Sequence, residues 1–296
     1  MPDPVSRFEH WNNLARGQVQ LGMMGFFRLV RRDRFRVGDF QVDELEIPIA
    51  GLPAAFEGYR LVQITDLHVG HWLSLHRLEG VVDLVNSQQP DCVVMTGDFV
   101  SYVVDQVAGG MVAALARLSA PDGVLAILGN HDHWMGAERV TQILQQAGVV
   151  VLRNQVYPLQ RASADGEPAS LLIAGLDDVV VGAHDLLALL AQLPDGPPAI
   201  LLAHEPDFAD QAAASGRFAL QLSGHSHGGQ IVTRSGHVPV RGSLFKKYPN
   251  GMYRVGEMLQ YTNRGIGTHV LRVRINCPPE ITVINLVTAP APARSS

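Results

Sequence analysis

The sequence predicts an α/β protein, and three observations carry that expectation. From Tyr59 onward, short apolar runs alternate with stretches of helical periodicity. Five of the apolar runs end in polar clusters built from Asp, Asn, His and Gly. Beyond about residue 229 the pattern shifts toward strands and turns.

The elements follow in order. Leu61 to Thr65 reads as a buried strand. Apolar positions 75, 78, 82 and 85 then step by three, four and three, which is one face of a helix, and Pro90 closes it. Cys92 to Thr96 is the next strand, with Cys92 a buried thiol. Residues 107–118 form a second helix with Met111, Leu115 and Leu118 on one face, and Val124 to Leu128 a third strand. Further strands are expected at 149–152, 171–174, 199–202, 219–222, 270–275 and 281–287. Gly, Asp and Pro at 164–168 and 194–198 mark surface turns. The organisation is thus a basic segment at 1–40, one domain at 41–288 and a disordered tail at 289–296.

With 296 residues, 47% of them hydrophobic and a net charge of −5, the chain can bury a large core and is excluded from the disordered class. Two distant cysteines, Cys92 and Cys277, exclude a disulfide scaffold and a thiolate metal cluster. The acidic balance argues against nucleic-acid binding beyond a substrate. Charge is unevenly spread: residues 1–40 carry seven Arg against four acids. Within them Leu21 to Val30 is an apolar run of ten residues followed by Arg31 and Arg32. Ten residues fall short of the ~20 a membrane span needs, and neither a secretory nor a twin-arginine export pattern is recognised. The segment is compatible with an amphipathic helix on an anionic membrane surface, or with one packed on the domain through Phe26, Phe27 and Leu29. The expected location is the cytoplasm, with peripheral contact at the inner membrane surface open through residues 1–40. The oligomeric state is not legible.

The clusters at the strand ends carry the chemistry. Asp66-Leu-His68 follows the first strand, Gly97-Asp98 the second, and Gly129-Asn-His-Asp132 the third. The strand at 199–202 runs into His204 and Glu205, and that at 219–222 into Gly224-His-Ser-His-Gly-Gly229. C-terminal strand ends are where open α/β sheets place ligands. Taken singly, each cluster has an ordinary explanation, such as a loop, a turn, a helix N-cap at Asn130 or a surface hairpin. Together, Asp66, His68, Asp98, Asn130, His204, His225 and His227 are a hard-to-borderline O/N donor set, suited to Mn, Fe, Zn, Co or Mg. They are too many for one ion and about right for two ions sharing a bridging carboxylate. Two divalent ions, two carboxylates and one bridging hydroxide leave a charge of about +1, which favours an anionic, phosphoryl substrate. His10, His71, His76, His133, His184, His237 and His269 stand outside this pattern and read as surface or packing residues.

These blocks, in this order, resemble the calcineurin-like metallophosphoesterases, whose pattern is D-x-H, G-D, G-N-H-[DE], a later H, and G-H-x-H. The resemblance covers roughly residues 45–287. The run Gly224 to Gln230 is similar to a bacterial branch of that family. So are Gly175-Leu-Asp-Asp178, Lys246-Lys-Tyr248 with Gly251, Asn263 to Gly267, and Pro279-Glu-Ile281. The branch includes phosphodiesterases and is similar to one type of UDP-2,3-diacylglucosamine pyrophosphohydrolase of lipid A synthesis.

The resemblance implies a four-layer α-β-β-α sandwich, two facing mixed β-sheets flanked by helices. It implies that Asp66, His68 and His227 hold one metal, that Asn130, His204 and His225 hold the other, and that Asp98 bridges them; manganese is the expected ion. It also implies that His131 contacts the phosphate and protonates the leaving group while Asp132 orients its ring.

The expected activity is hydrolysis of a phosphodiester or pyrophosphate bond through a metal-bridging hydroxide. Residues 233–254 hold both lysines of the chain and would line the pocket, with Arg234, Lys246, Lys247 and Tyr248 on substrate. UDP-2,3-diacylglucosamine hydrolysis at the membrane surface is the alternative within the enzyme class. An amidohydrolase barrel would open on H-x-H, whereas this chain has Asp66-x-His68. A non-catalytic metal-binding scaffold would be expected to have lost ligands, and none is lost; a peripheral membrane adaptor would not explain the metal constellation.

Overall fold

A computed structural model describes residues 35–163, 165–239, 242–269 and 273–289. The expectations for the apolar run Leu21 to Val30, for the basic segment up to residue 34, for residues 270–272 of the expected late strand and for the tail from residue 290 lie outside the described residues.

Two six-stranded sheets form the frame. The first has strand order β1-β12-β2-β3-β4-β5. It is built from β1 (Gln41–Ile49), β2 (Tyr59–Ile64), β3 (Cys92–Thr96), β4 (Val124–Ile127), β5 (Val150–Val151) and β12 (Glu280–Thr288). Strands β2 to β5 run parallel, and β12 pairs antiparallel with β2 and parallel with β1. The second sheet has order β10-β11-β9-β8-β7-β6. Its strands are β6 (Gln155–Ala162), β7 (Pro168–Gly175), β8 (Ala199–Leu202), β9 (Leu220–Ser223), β10 (Gly251–Val255) and β11 (Met258–Thr262). Strands β7, β8, β9 and β11 run parallel, with antiparallel hairpins at both edges.

Burial explains why the central strands are continuous apolar runs rather than alternating ones. On β3, Val93 and Met95 face α1 (Leu75–Ser87), α2 (Asp105–Leu115) and α3 (Asn130–Gln146). Cys92 and Val94, on the opposite face, pack against Ile173, Ile200, Leu202 and Leu222 of the second sheet. The outer face of that sheet, including Leu172, Ala174 and Leu201, is covered by α4 (Leu186–Leu190) and α5 (Ala209–Ala214). Each strand thus serves two cores, and the layers are helix, sheet, sheet, helix. Burial of a Leu, Ile or Val contributes about 1.5–3 kcal/mol, so the inter-sheet cluster holds the two halves of the site together.

The helix around residues 75–85 and the strands through Ser223 appear where the periodicity predicts them. The strand expected at 270–275 does not: among the described residues only Ile275 pairs, in an isolated bridge to Ile231. Its alternation is inverted, with Val273 and Ile275 exposed. The Arg274 guanidinium instead turns inward and donates to the carbonyls of Arg264, Gly265 and Gly267. Strands β1, β6 and β10 are edge elements and β11 is an inner strand with buried Gln260 and Thr262, and no local pattern announces their pairing. No helix among the described residues is long and apolar enough to cross a membrane.

Candidate metal centre

All five polar clusters meet at the C-terminal ends of β2, β3, β4, β8 and β9, along the seam between the two sheets. The seam is closed by polar contacts. The Gln63 side chain reaches from β2 to Ser223 O of β9 at 3.0 Å. The His225 N–H donates to both carboxylate oxygens of Asp66, at 3.1 and 3.0 Å. Gly224 is required here, because a Cβ would lie 2.3 Å from Asp66 Oδ2 and 2.2 Å from Thr65 Oγ1. Gly97 is required twice over: its φ is +99°, and a Cβ would meet His204 Nδ1 at 2.6 Å.

The donor residues fall into two groups, Asp66 with His68 and His227, and Asp98 with His204 and His225. Within each group the candidate ligand atoms lie within 4.8 Å of one another, so each could hold an ion. Asp98 stands between the groups: its Oδ2 is 3.4 Å from His68 Nε2 and 3.4 Å from His204 Nε2. His68 Nε2 and His227 Nε2 are 3.1 Å apart. Asp66, His68, Asp98, His225 and His227 all adopt positive φ, between 44° and 65°. Left-handed backbone at five non-glycine residues is strained, and such strain collects at functional sites.

Neighbouring groups aim the imidazoles. His68 Nδ1 lies 2.7 Å from Ser101 Oγ, and His204 Nδ1 lies 2.6 Å from the Thr96 carbonyl. A proton on Nδ1 of His204 satisfies that carbonyl. Burial opposes charging this ring, yet the Asp98 and Asp66 carboxylates raise its pKa well above the usual imidazole range, so a cation at Nε2 would displace a proton there. His225 Nε2 lies 3.1 Å from the Ser243 carbonyl, which turns Nδ1 inward. Burial holds His68 and His227 well below the usual imidazole range and takes His225 down to about 3, so these rings are neutral, the form that ligates. Burial pushes the Asp66 carboxyl up to about 7, with Asp98 reinforcing it.

Two divalent cations fit this set. His204 Nε2 and Asn130 Oδ1 are buried without a hydrogen-bond partner among the described residues. The buried carboxylates of Asp66 and Asp98 carry repulsion that cations relieve. Nitrogen and oxygen donors without thiolate match hard or borderline ions.

His131 begins α3 beside Asn130. Its backbone N–H donates to Asp98 Oδ1 at 2.9 Å, and its ring packs 4.9 Å from His68. Burial lowers the pKa of its ring, against the opposing charges of Asp98 and Asp178.

The expectation that Asp132 orients the His131 ring is corrected by the structure. The Asp132 carboxylate accepts N–H bonds from Asp98 (2.9 Å), Phe99 (2.8 Å), Val100 (3.3 Å) and Gly129 (3.0 Å). From the first turn of a helix it bends back to clamp the loop after β3, so it is a positioning residue.

The proposed substrate side chains are placed differently from expectation as well. The Lys247 ammonium pairs with Asp210, and the Tyr248 hydroxyl donates to Asp210 at 2.9 Å. The backbone N–H groups of Lys246, Lys247 and Tyr248 donate to the Asp207 carboxylate. Arg234 lies exposed in the turn at 233–236. The loop's tie to the centre comes instead from Ser243 and from Phe245, whose ring lies 5.5 Å from His225.

His269, read from sequence as a surface or packing residue, belongs to the centre. Its ring lies 4.7 Å from His131, 5.8 Å from His68 and 6.0 Å from His227. The nearby motif Asn263 to Gly267 was the available signal. Ile266 N–H donates to Thr65 O at 3.0 Å and Gly267 N–H to Asp66 O at 2.7 Å, which carries the following His269 to the metal loops. His133 instead pairs with Asp177 at 2.7 Å, away from the donor groups.

Comparison with known proteins agrees with this geometry. A family model for calcineurin-like phosphoesterases matches residues 59–229. The chain is 37% identical over 245 residues to the uncharacterized metallophosphoesterase YkuE of Bacillus subtilis, covering 79% of this chain and 81% of that protein. It is 29% identical over 241 residues to the phosphodiesterase YaeI of Escherichia coli, covering 77% and 82%. A transmembrane protein with metallophosphoesterase domain from Danio rerio is 30% identical over 260 residues, covering 84% of this chain but 58% of that protein.

Proposed function

The chain belongs to the calcineurin-like phosphoesterase family and is a metal-dependent phosphoester hydrolase, and from that premise we propose that it cleaves phosphodiester bonds at a two-cation centre. The observation that carries the two-cation reading is the position of Asp98, whose Oδ2 is equidistant from an imidazole nitrogen of each donor group. Asp66, His68 and His227 would hold one ion, Asn130, His204 and His225 the other, and Asp98 would be shared between them. Manganese is the proposed ion, compatible with a set of carboxylate, amide and imidazole donors. When bound, two such ions supply Lewis acidity toward phosphoryl oxygens and lower the pKa of water enough to make a nucleophile near neutrality.

The remaining roles are the protein's own. Ser101 and the Thr96 carbonyl fix the rings of His68 and His204, so the donor set is preorganised. His131, fixed by its N–H bond to Asp98, delivers a proton from its imidazole N–H to the departing oxygen. Burial lowers the pKa of that ring, which makes it a readier proton donor, and the charges of Asp98 and Asp178 oppose this only in part. Phosphodiesters are preferred to monoesters or pyrophosphates because the Escherichia coli relative is named as a phosphodiesterase.

Hydrolysis of bis-p-nitrophenyl phosphate by the manganese-loaded protein, with elemental analysis of bound metal, tests the reading. Asp98→Ala is expected to abolish hydrolysis and to lower metal content while the circular dichroism spectrum persists. Retained activity in that variant would overturn the shared-carboxylate centre.

A further inference from the structure

Two aromatic side chains outside the donor groups, Trp134 and Tyr102, pack near the His131 ring. Trp134 lies one helical turn from His131, and at i, i+3 on a helix the two side chains meet. Their ring centroids are 4.8 Å apart, with planes inclined by 62°. The Tyr102 ring lies 6.3 Å from His131, inclined by 77°. Trp134 remains 54% exposed, although Met135 and Ala137 on either side of Gly136 pack against the core. Gly136 explains how this arises. Its φ of 109° and ψ of 87° break the helix, and a Cβ there would meet nothing closer than 3.8 Å. The glycine therefore serves the bend rather than close packing, and the bend separates the turn bearing His131 and Trp134 from the rest of α3.

Each ring follows a residue whose own side chain is bonded. Tyr102 follows Ser101, which is bonded to His68. Trp134 follows His133, which is bonded to Asp177. Trp and Tyr side chains, with two χ angles each, contribute binding area at little entropic cost. Because His131 must stand within about 3 Å of the departing oxygen, whatever that oxygen carries next passes beside Trp134. An exposed indole with a second aromatic ring nearby matches a planar heterocycle, which stacks on such faces. A flexible acyl chain gains no comparable benefit from flat, rigid walls.

We propose that Trp134, with Tyr102, forms a stacking platform for the leaving group, and that the preferred leaving group is a nucleoside. The proposal rests on the phosphodiesterase reading of the same centre. Every base offers a face to stack, so the platform accepts all of them, with purines ranking above pyrimidines by area.

The test compares adenylyl-(3′→5′)-adenosine with glycerophosphoglycerol, two diesters with alkoxide leaving groups, using the full manganese-loaded chain. In Trp134→Ala the ratio of kcat/KM for the dinucleoside over the glycerol diester is expected to fall about tenfold. Trp134→Phe, which keeps a ring, is expected to restore most of that ratio, and Trp134→Leu to restore little. Quenching of tryptophan fluorescence by AMP, with glycerol 3-phosphate as control, gives a reading separate from turnover. It is expected in the wild type and lost in Trp134→Phe. An unchanged ratio, or Trp134→Leu matching Trp134→Phe, overturns the platform. If the wild type hydrolyses neither diester, the phosphodiesterase reading fails, and the presence or absence of AMP quenching then decides the platform by itself.

Discussion

Asp132 accepts the backbone N–H of Asp98 at 2.9 Å, so one carboxylate fixes the main chain that carries the other. Asp98 sits there at φ 58°, a conformation that needs outside support in a non-glycine residue. Asp132→Asn replaces one acceptor oxygen with a donor and leaves buried N–H groups unsatisfied. Stability should fall by about 2–3 kcal/mol, together with metal affinity, as read by urea denaturation and a chelator-competition titration. If Asp132 acted on the His131 ring instead, the variant would alter leaving-group dependence with stability unchanged.

His131→Ala is expected to behave in the opposite way. Rates for poor, alkoxide leaving groups should drop by about 10²–10⁴, while p-nitrophenyl esters, which need no proton on departure, should lose far less. A plot of log rate against leaving-group pKa should steepen in the variant. Equal losses across the series would place His131 in binding rather than proton delivery.

The Ser101 hydroxyl touches His68 Nδ1 and lies in the site's wall rather than among the donors. Ser101→Ala should weaken metal binding about 10–100-fold through loss of ring orientation. Metal titration followed by calorimetry measures this, and Asp98→Ala gives the upper limit for comparison.

Removal of metal should destabilise the fold. An ion at a hundredfold excess over its Kd stabilises by about 2.7 kcal/mol, so in a chain of this size chelation should lower Tm by roughly 4 °C for one ion and roughly 9 °C for two. Differential scanning calorimetry before chelation, after it and after manganese refilling should show a reversible shift. An unmoved Tm would mean that the folded state holds no ions at these carboxylates.

The His133–Asp177 pair predicts a pH dependence of stability. Its hydrogen bond to Asp177 raises the His133 pKa above the ordinary 6.5. Burial opposes ionisation of Asp177, yet its bonds to His133 and Arg153 hold its carboxyl below 3.8. The His133 contribution is therefore fully present below 6.5 and lost as pH rises through its raised folded value. The Asp177 contribution is present above 3.8 and lost as pH falls through its depressed folded value. Urea midpoints of wild type and His133→Ala should differ most between the ordinary values of 3.8 and 6.5, and the difference should narrow as pH rises past 6.5.

Much of the centre was legible because it is locally encoded. Each donor follows a strand whose apolar run announces it, and β-strand ends sit where their own sequence places them. Asp66, His68, Asp98, Asn130, His204, His225 and His227 could thus be listed without knowing how the strands pair, and their oxygen and nitrogen chemistry suggested metal ions. The order of motifs then supplied the family resemblance. The partition into two groups with Asp98 between them is a distance relation across two sheets. It depends on Gly224 letting β9 approach Asp66, and no periodicity reports that approach. The positive φ values of the donors, the turn of Asp132 toward the Asp98 loop, and the arrival of His269 beside His131 are likewise decided in three dimensions. Arg274 shows the reason most directly. Its neighbours alternate like a strand, yet the carbonyls of Arg264, Gly265 and Gly267 draw its guanidinium inward and leave Val273 and Ile275 in solvent. Sequence determines which chemical groups are available and on which local elements they ride. Which of them meet is set by tertiary packing, because hydrogen bonds and close approaches between distant segments can outweigh any local preference of about 1 kcal/mol.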